Sequence, residues 1–162
     1  MFSICFGLDG GYLALGGINH TFHQEEKIKY FDLIPSDFYQ VKLESIEIEN
    51  DVFMLKNEYF TIIDSGTTVS YFPSEIFRSV TERLKNVCNK KTNDKKCLGA
   101  IHYEGSDLCI DKRINATLEE FFDSFPTLKL KFSVDKIIKW KPKNYFYAIK
   151  DNAYCVGINE WG

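Results

Sequence analysis

Ile62-Ile63-Asp64-Ser65-Gly66-Thr67-Thr68 is the stretch on which the reading of this chain turns. An apolar run rich in β-formers, Tyr59 to Ile63, delivers a carboxylate into a tight turn of small, hydroxyl-bearing residues. Each position has a physical use. Asp64 supplies the acid, Gly66 lets the backbone pass close enough to aim an N–H at it, and the Thr67 hydroxyl can reach its outer oxygen. Asp, Ser and Gly also favour ordinary turns, so the context matters: a strand ends at this motif and a helix follows it. Average residue usage places Asp-[Ser/Thr]-Gly-[Ser/Thr] by chance in about one chain of this length in a hundred.

Working outward, Pro73 is followed by Ile76, Phe77, Val80, Leu84 and Val87 at helical spacing, with Ser74 as the expected N-cap. Elsewhere the period is two. Phe2, Ile4 and Phe6 lead to Asp9-Gly10-Gly11 and resume at Tyr12 to Leu15, which reads as a β-hairpin turning at those three residues. From Phe38, the apolar positions Tyr39, Val41 and Leu43 slip by one to Ile46 and Ile48, and a bulge at Glu44 or Ser45 accounts for the slip. Leu128, Leu130, Phe132 and Val134 define one buried face of a later strand. Composition reads Trp140 to Tyr145 as a surface strand with solvated lysines, and Leu118 to Phe122 as one helical turn before Pro126. One strong helix among many strands gives a mainly-β domain.

The chain has 162 residues, is 44% hydrophobic, and carries 20 basic against 23 acidic residues. That is enough for one core, and the near balance of charge gives no reason to expect pursuit of nucleic acid or anionic lipid. No apolar run approaches the roughly 20 residues that span a bilayer, and Met1 to Phe6 lacks the charged start and long apolar stretch of a signal peptide. Cysteines at 5, 88, 97, 109 and 155 include no C-x-x-C pair, so disulfides are expected and no zinc or other metal site is. The polar run 89–96 between Cys88 and Cys97 reads as a solvated loop whose base a disulfide could pinch. Asn-x-Thr sequons at Asn19 and Asn115 are candidate glycosylation sites, consistent with a secretory route. His20, His23 and His102 read as surface residues, and Cys5 either bonds outside this segment or, the preferred reading, stays a buried thiol.

The Asp64 loop resembles the active-site loop of pepsin-like aspartic proteases, and the resemblance extends along nearly the whole chain. Phe2-Ser3-Ile4, Gly11-Tyr12-Leu13 and Gly16-Gly17-Ile18-Asn19 look like the start of a pepsin C-terminal lobe. The Phe38 to Ile48 strand, the helix after the loop and Phe125-Pro126-Thr127-Leu128 follow in the family's order. Trp140-Lys141-Pro142-Lys143-Asn144-Tyr145 and Tyr154-Cys155 are similar to the plasmepsins, especially the type of the endoplasmic reticulum that processes exported proteins. The resemblance implies that residues 1–162 are one lobe of a bilobal fold and that Asp64 is catalytic. It further implies that Ser65 reaches toward the opposite lobe, that Thr67 supports the carboxylate, and that Thr68 and the Gly66 carbonyl meet the substrate backbone. In the pepsin pattern Cys109 pairs with Cys155, leaving Cys88 with Cys97.

The family uses two Asp-[Ser/Thr]-Gly loops, and this chain has one. In aspartic proteases two close carboxylates share a proton, one acting as base on a water and the other as acid toward the peptide carbonyl. The resemblance therefore places the partner aspartate and a tyrosine-bearing flap on an N-terminal lobe outside these residues, and a hydrophobic-hydrophobic-Gly strand shortly after Gly162. Alone, Asp64 is expected to titrate as an ordinary carboxylate, and the segment is expected to be destabilised and inactive. The implied partners are that lobe and an extended peptide or protein substrate, with no cofactor, in the endoplasmic reticulum lumen, a vacuole or the extracellular space. Two rival readings are a homodimeric, retropepsin-like protease in which two copies each supply Asp64, and a pepsin-fold binding module without catalysis.

Overall fold

A computed structural model describes residues 2–7, 9–17, 21, 28–55, 60–88 and 97–162. The chain divides into two compact units, Met1–Phe31 and Asp32–Gly162. The first unit contains the expected hairpin, β1 (Phe2–Gly7) with β2 (Gly10–Leu15), paired antiparallel from Phe2↔Leu15 to Gly7↔Gly10. Gly10 and Gly11 lie in the ladder instead of the turn. Gly10 has φ +134°, and a Cβ at Gly11 would stand 2.8 Å from the Cys5 carbonyl, so both positions require glycine for backbone reasons. Cys5 is a free and exposed thiol, not a buried one: it lies in a two-stranded ladder that no other strand joins among the described residues.

The second unit is built from small sheets around one core. β3 (Gln40–Val41) pairs with β6 (Thr61–Ile62). β4 (Ser45–Ile48) lies between β5 (Asp51–Met54) and β10 (Leu128–Lys131), and β11 (Ile137–Trp140) completes that four-stranded antiparallel sheet. A second four-stranded sheet runs in the order β12 (Phe146–Lys150), β13 (Ala153–Val156), β9 (Asp107–Lys112), β8 (Gly99–Glu104). β7 (Ser70–Phe72) and β14 (Ile158–Glu160) form a parallel pair.

The slip in hydrophobic period at Glu44 is a change of sheet, not a bulge. Val41 pairs in β3, Ser45 begins β4, and between them Glu44 donates its N–H to the Lys131 carbonyl (2.8 Å) and accepts from Leu55 (2.9 Å). Val41, Leu43, Ser45, Ile46 and Ile48 are all buried, because a segment crossing from one sheet to the next meets the core with both registers. The period-two face of the later strand also ends early. β10 stops at Lys131, Phe132 donates to the Lys136 carbonyl (2.9 Å), and Val134 stands 87% exposed in the turn.

Helix α1 (Ser74–Val87) carries the expected face inward, with Ile76, Val80, Leu84 and Val87 buried. Ser74 is its first helical residue and not its cap. Pro73 holds the cap position at φ −53°, ψ 144°, and its carbonyl accepts from the Phe77 N–H at 2.9 Å. α2 (Leu118–Asp123) begins at Thr117, and α3 (Pro142–Tyr145) interrupts what composition suggests is a surface strand. Tyr145 is 2% exposed, and its hydroxyl donates to the Pro126 carbonyl at 2.7 Å. Around it Phe121, Phe125 and Phe146 pack with ring centroids 4.9 to 5.7 Å apart. Among the described residues no helix is long and apolar enough to cross a membrane.

Candidate functional site

Asp64 leaves β6 at the point where the chain must reverse. Ile63 still donates to the Tyr39 carbonyl (2.9 Å), holding the strand in place up to the acid, and the turn then brings the next two donors back onto it. Gly66 N–H donates to Asp64 Oδ1 at 2.8 Å, and Thr67 Oγ1 donates to Asp64 Oδ2 at 2.5 Å. A Cβ at Gly66 would lie 3.2 Å from Oδ1, so a larger residue would crowd the oxygen that the N–H serves. Both carboxylate oxygens therefore have a fixed donor, while the group itself is exposed.

The consequence for titration departs from the expectation of an ordinary carboxylate. The Thr67 hydroxyl, with the Gly66 N–H second, favours the charged form and holds the Asp64 carboxyl below its usual value. Ser65 is exposed, and its hydroxyl makes no hydrogen bond among the described residues. Thr68 is exposed beside it.

Asp64, Thr67 and Thr68 line a cavity of about 1510 Å³. Its walls come from β5, β6, β7 and the inner faces of β10 and β11, and they are mostly aliphatic and aromatic. Asp64 and Glu75 are the only charged side chains on it among the described residues. Such a groove, apolar with one oriented acid at its edge, has the character of a ligand site. The described residues contain no group of acidic, histidine or cysteine side chains able to hold a metal ion.

A family profile described as "Xylanase inhibitor C-terminal" matches residues 38–162. The chain belongs to this family. Its members are C-terminal domains of the pepsin-like aspartic protease fold, and the mainly-β architecture with its helix after the Asp64 loop is that lobe. The chain is 22% identical over 161 residues to aspartic proteinase 36 of Arabidopsis thaliana, covering 94% of this chain and 30% of that protein. It is 22% identical over 147 residues to plasmepsin V of Plasmodium falciparum, covering 76% of this chain and 25% of that one. Among solved structures, conglutin gamma, a basic 7S globulin from lupine seeds, superposes with a TM-score of 0.56 at 16% identity, over 80% of this chain and 30% of that one. The chain thus spans about a quarter to a third of the length of these relatives.

Within this lobe, the strand bearing Asp64 is less buried than its sequence suggests. Ile62 is 42% and Ile63 55% exposed, since they and Phe60 face the cavity instead of a second layer. Tyr71 and Trp161, in edge contact at 6.3 Å, are further exposed aromatics on the same wall that sequence reasoning did not single out.

Two disulfides are present, Cys88–Cys97 and Cys109–Cys155. The second joins directly opposed residues of β9 and β13. His102 is not a free surface residue: its side chain is 26% exposed, and Nδ1 lies 3.3 Å from Asp111 Oδ2. Asn115 is exposed in the turn before α2, while Asn19, His20 and His23 lie outside the described residues, as does the polar loop 89–96.

Proposed function

We propose that Asp64 is one of two catalytic carboxylates of an aspartic endopeptidase, the other being supplied by an N-terminal lobe of the parent protein. The observation that carries this reading is the brace on Asp64, one backbone and one hydroxyl donor at 2.8 and 2.5 Å, at the edge of an apolar groove. Orienting an acid in this way prepares it to share a proton with a second carboxylate and to hold a water between them. One carboxylate draws a proton from the water as it attacks the peptide carbonyl, and the other protonates the carbonyl oxygen. Ser65, with a free hydroxyl, is the residue proposed to reach the opposite loop. Thr68 and the Gly66 carbonyl are proposed to meet an extended peptide, bound by its main chain as an added strand. The two disulfides support an oxidising compartment, the secretory pathway, and Asn19 and Asn115 are the proposed glycan acceptors.

The test compares the isolated 162-residue chain with the parent protein. The parent should cleave peptides and lose the activity in Asp64→Ala, with circular dichroism unchanged, while the isolated chain should not cleave at all. Turnover by the isolated chain that Asp64→Ala abolishes would instead show that two copies complete the site. A second reading has its own observations: the matching profile is named for xylanase inhibitors, and the superposing structure is a seed globulin. In that case the lobe binds without hydrolysis, and the parent would retain a peptide or protein ligand without cleaving it, unaffected by Asp64→Asn.

A further inference from the structure

The near balance of charge over the whole chain conceals a segregation that the fold makes visible. Between Lys129 and Lys143 stand six lysines and one acidic residue, Asp135, in a protein of net charge −3. β10 and β11 bring three of these lysines, Lys129, Lys131 and Lys139, together. Lys129 and Lys139 are directly opposed across the two strands, a like-charge pairing that destabilises a sheet. Glu47, opposite Lys129 on β4, meets it at 3.4 Å. Lys131, Lys136, Lys139, Lys141 and Lys143 make no ion pair among the described residues, whereas Arg78, Arg83 and Lys150 each meet a carboxylate.

Strand alternation separates this face from the candidate site. Leu128 is fully buried, and Leu130, Ile138 and Trp140 line the cavity. Lys129, Lys131 and Lys139 alternate with them and so stand on the opposite side of the sheet. Lys141 and Lys143 continue the charge past β11, and both are exposed. At the far end, the turn between the strands is tied by Ser133 Oγ to Asp135 (2.7 Å), and it lifts Val134 to 87% exposure between Lys131 and Lys136.

We infer that this hairpin is a docking surface for an anionic lipid bilayer. Three features select that occupant over an acidic protein. All six cations are lysines, which act as point charges in a diffuse field, and none is an arginine, the residue suited to bidentate recognition of a placed carboxylate or phosphate. Lys129, Lys131 and Lys139 are spread along a sheet face, with Lys136 in the turn and Lys141 and Lys143 past β11, instead of converging on a pocket. An apolar tip flanked by cations suits the boundary between headgroups and acyl chains. Docking through this face leaves the cavity side of the sheet uncovered.

The experiment is co-sedimentation of the parent protein, which carries this lobe in its complete setting, with vesicles of phosphatidylcholine alone or mixed with phosphatidylserine. It is run at ionic strengths of about 0.01 M and about 1 M, where screening lengths are about 30 and 3 Å. The protein should sediment with the mixed vesicles at low salt only, and not with phosphatidylcholine. Replacing Lys139, Lys141 and Lys143 together by serine should weaken partitioning about a hundredfold, at about fivefold per lysine. This variant also removes the opposed Lys129–Lys139 pair, so it should fold at least as well as the wild type. Equal binding to both vesicle types, or unchanged binding by the triple variant, would overturn the inference. So would a wild-type chain that ignores vesicles yet is retained by polyglutamate, which would assign the face to an acidic protein.

Discussion

At the scale of single residues, Asp64 is held by its own neighbours in sequence. The two donors that brace Asp64 lie two and three positions along the chain, so a turn with glycine and threonine at those places can close only on its own acid. Thr67→Val keeps the shape and removes the hydroxyl, so the Asp64 carboxyl should rise toward its ordinary value in a carbon-13 NMR titration. Gly66→Ala should raise it too, because the new methyl crowds Oδ1 while the N–H remains. An unchanged titration in Thr67→Val would show that the hydroxyl does not hold the charge. The exposure of Ile62, Ile63, Tyr71 and Trp161 was not legible, since what covers a side chain is decided by residues far away in sequence. Buried Tyr145 gives the complementary case. Its hydroxyl serves the Pro126 carbonyl, 19 residues away in sequence, and burial pushes its ionisation up. Tyr145→Phe should cost about 1 kcal/mol in urea unfolding, the net worth of a hydrogen bond to this half-buried carbonyl.

At the scale of elements, α1 was readable from its period, because Ile76, Val80, Leu84 and Val87 recur at one face whatever they pack against. Its cap was not, because Pro73 takes the extended cap conformation and so shifts Ser74 inside. The reverse holds for α2, which is too short to show a period and is fixed instead by its first residue. Thr117 Oγ1 accepts from the Glu120 N–H at 3.2 Å, and Glu120 Oε2 accepts from the Thr117 N–H at 2.9 Å, a reciprocal capping box. Thr117→Ala should lower stability by about 1 kcal/mol. The Thr117 N–H, then its hydroxyl, hold the Glu120 carboxyl below its usual value of 4.5. A depressed folded value means the stabilisation is present above pH 4.5 and is lost as pH falls through the lowered value. The stability gap between wild type and Glu120→Gln should therefore be open at neutral pH and close on acidification. A gap independent of pH would mean that the charge on Glu120 plays no part in the cap.

At the scale of the whole second unit, the order of the strands could not be read from their periods. β4 finds partners at β5 and at β10, about eighty residues later, and β13 lies between β12 and β9. Contacts that close such long loops cost chain entropy before they return any burial, and covalent links across them matter in proportion to the loop they close. The two disulfides differ sharply in this respect. Cys88 and Cys97 are 9 residues apart, whereas Cys109 and Cys155 are 46 apart and tie two neighbouring strands of one sheet. Loop-closure entropy alone gives about 2.5 kcal/mol for the first and about 4 kcal/mol for the second. Both cysteines of the longer link are fully buried, so replacing them by alanine also removes core volume and adds to the loss. Urea unfolding of Cys88→Ala/Cys97→Ala and of Cys109→Ala/Cys155→Ala should rank in that order, the second less stable by about 1.5 kcal/mol or more. Equal losses would place the stabilisation in local packing at each sulfur pair and remove topology from the account.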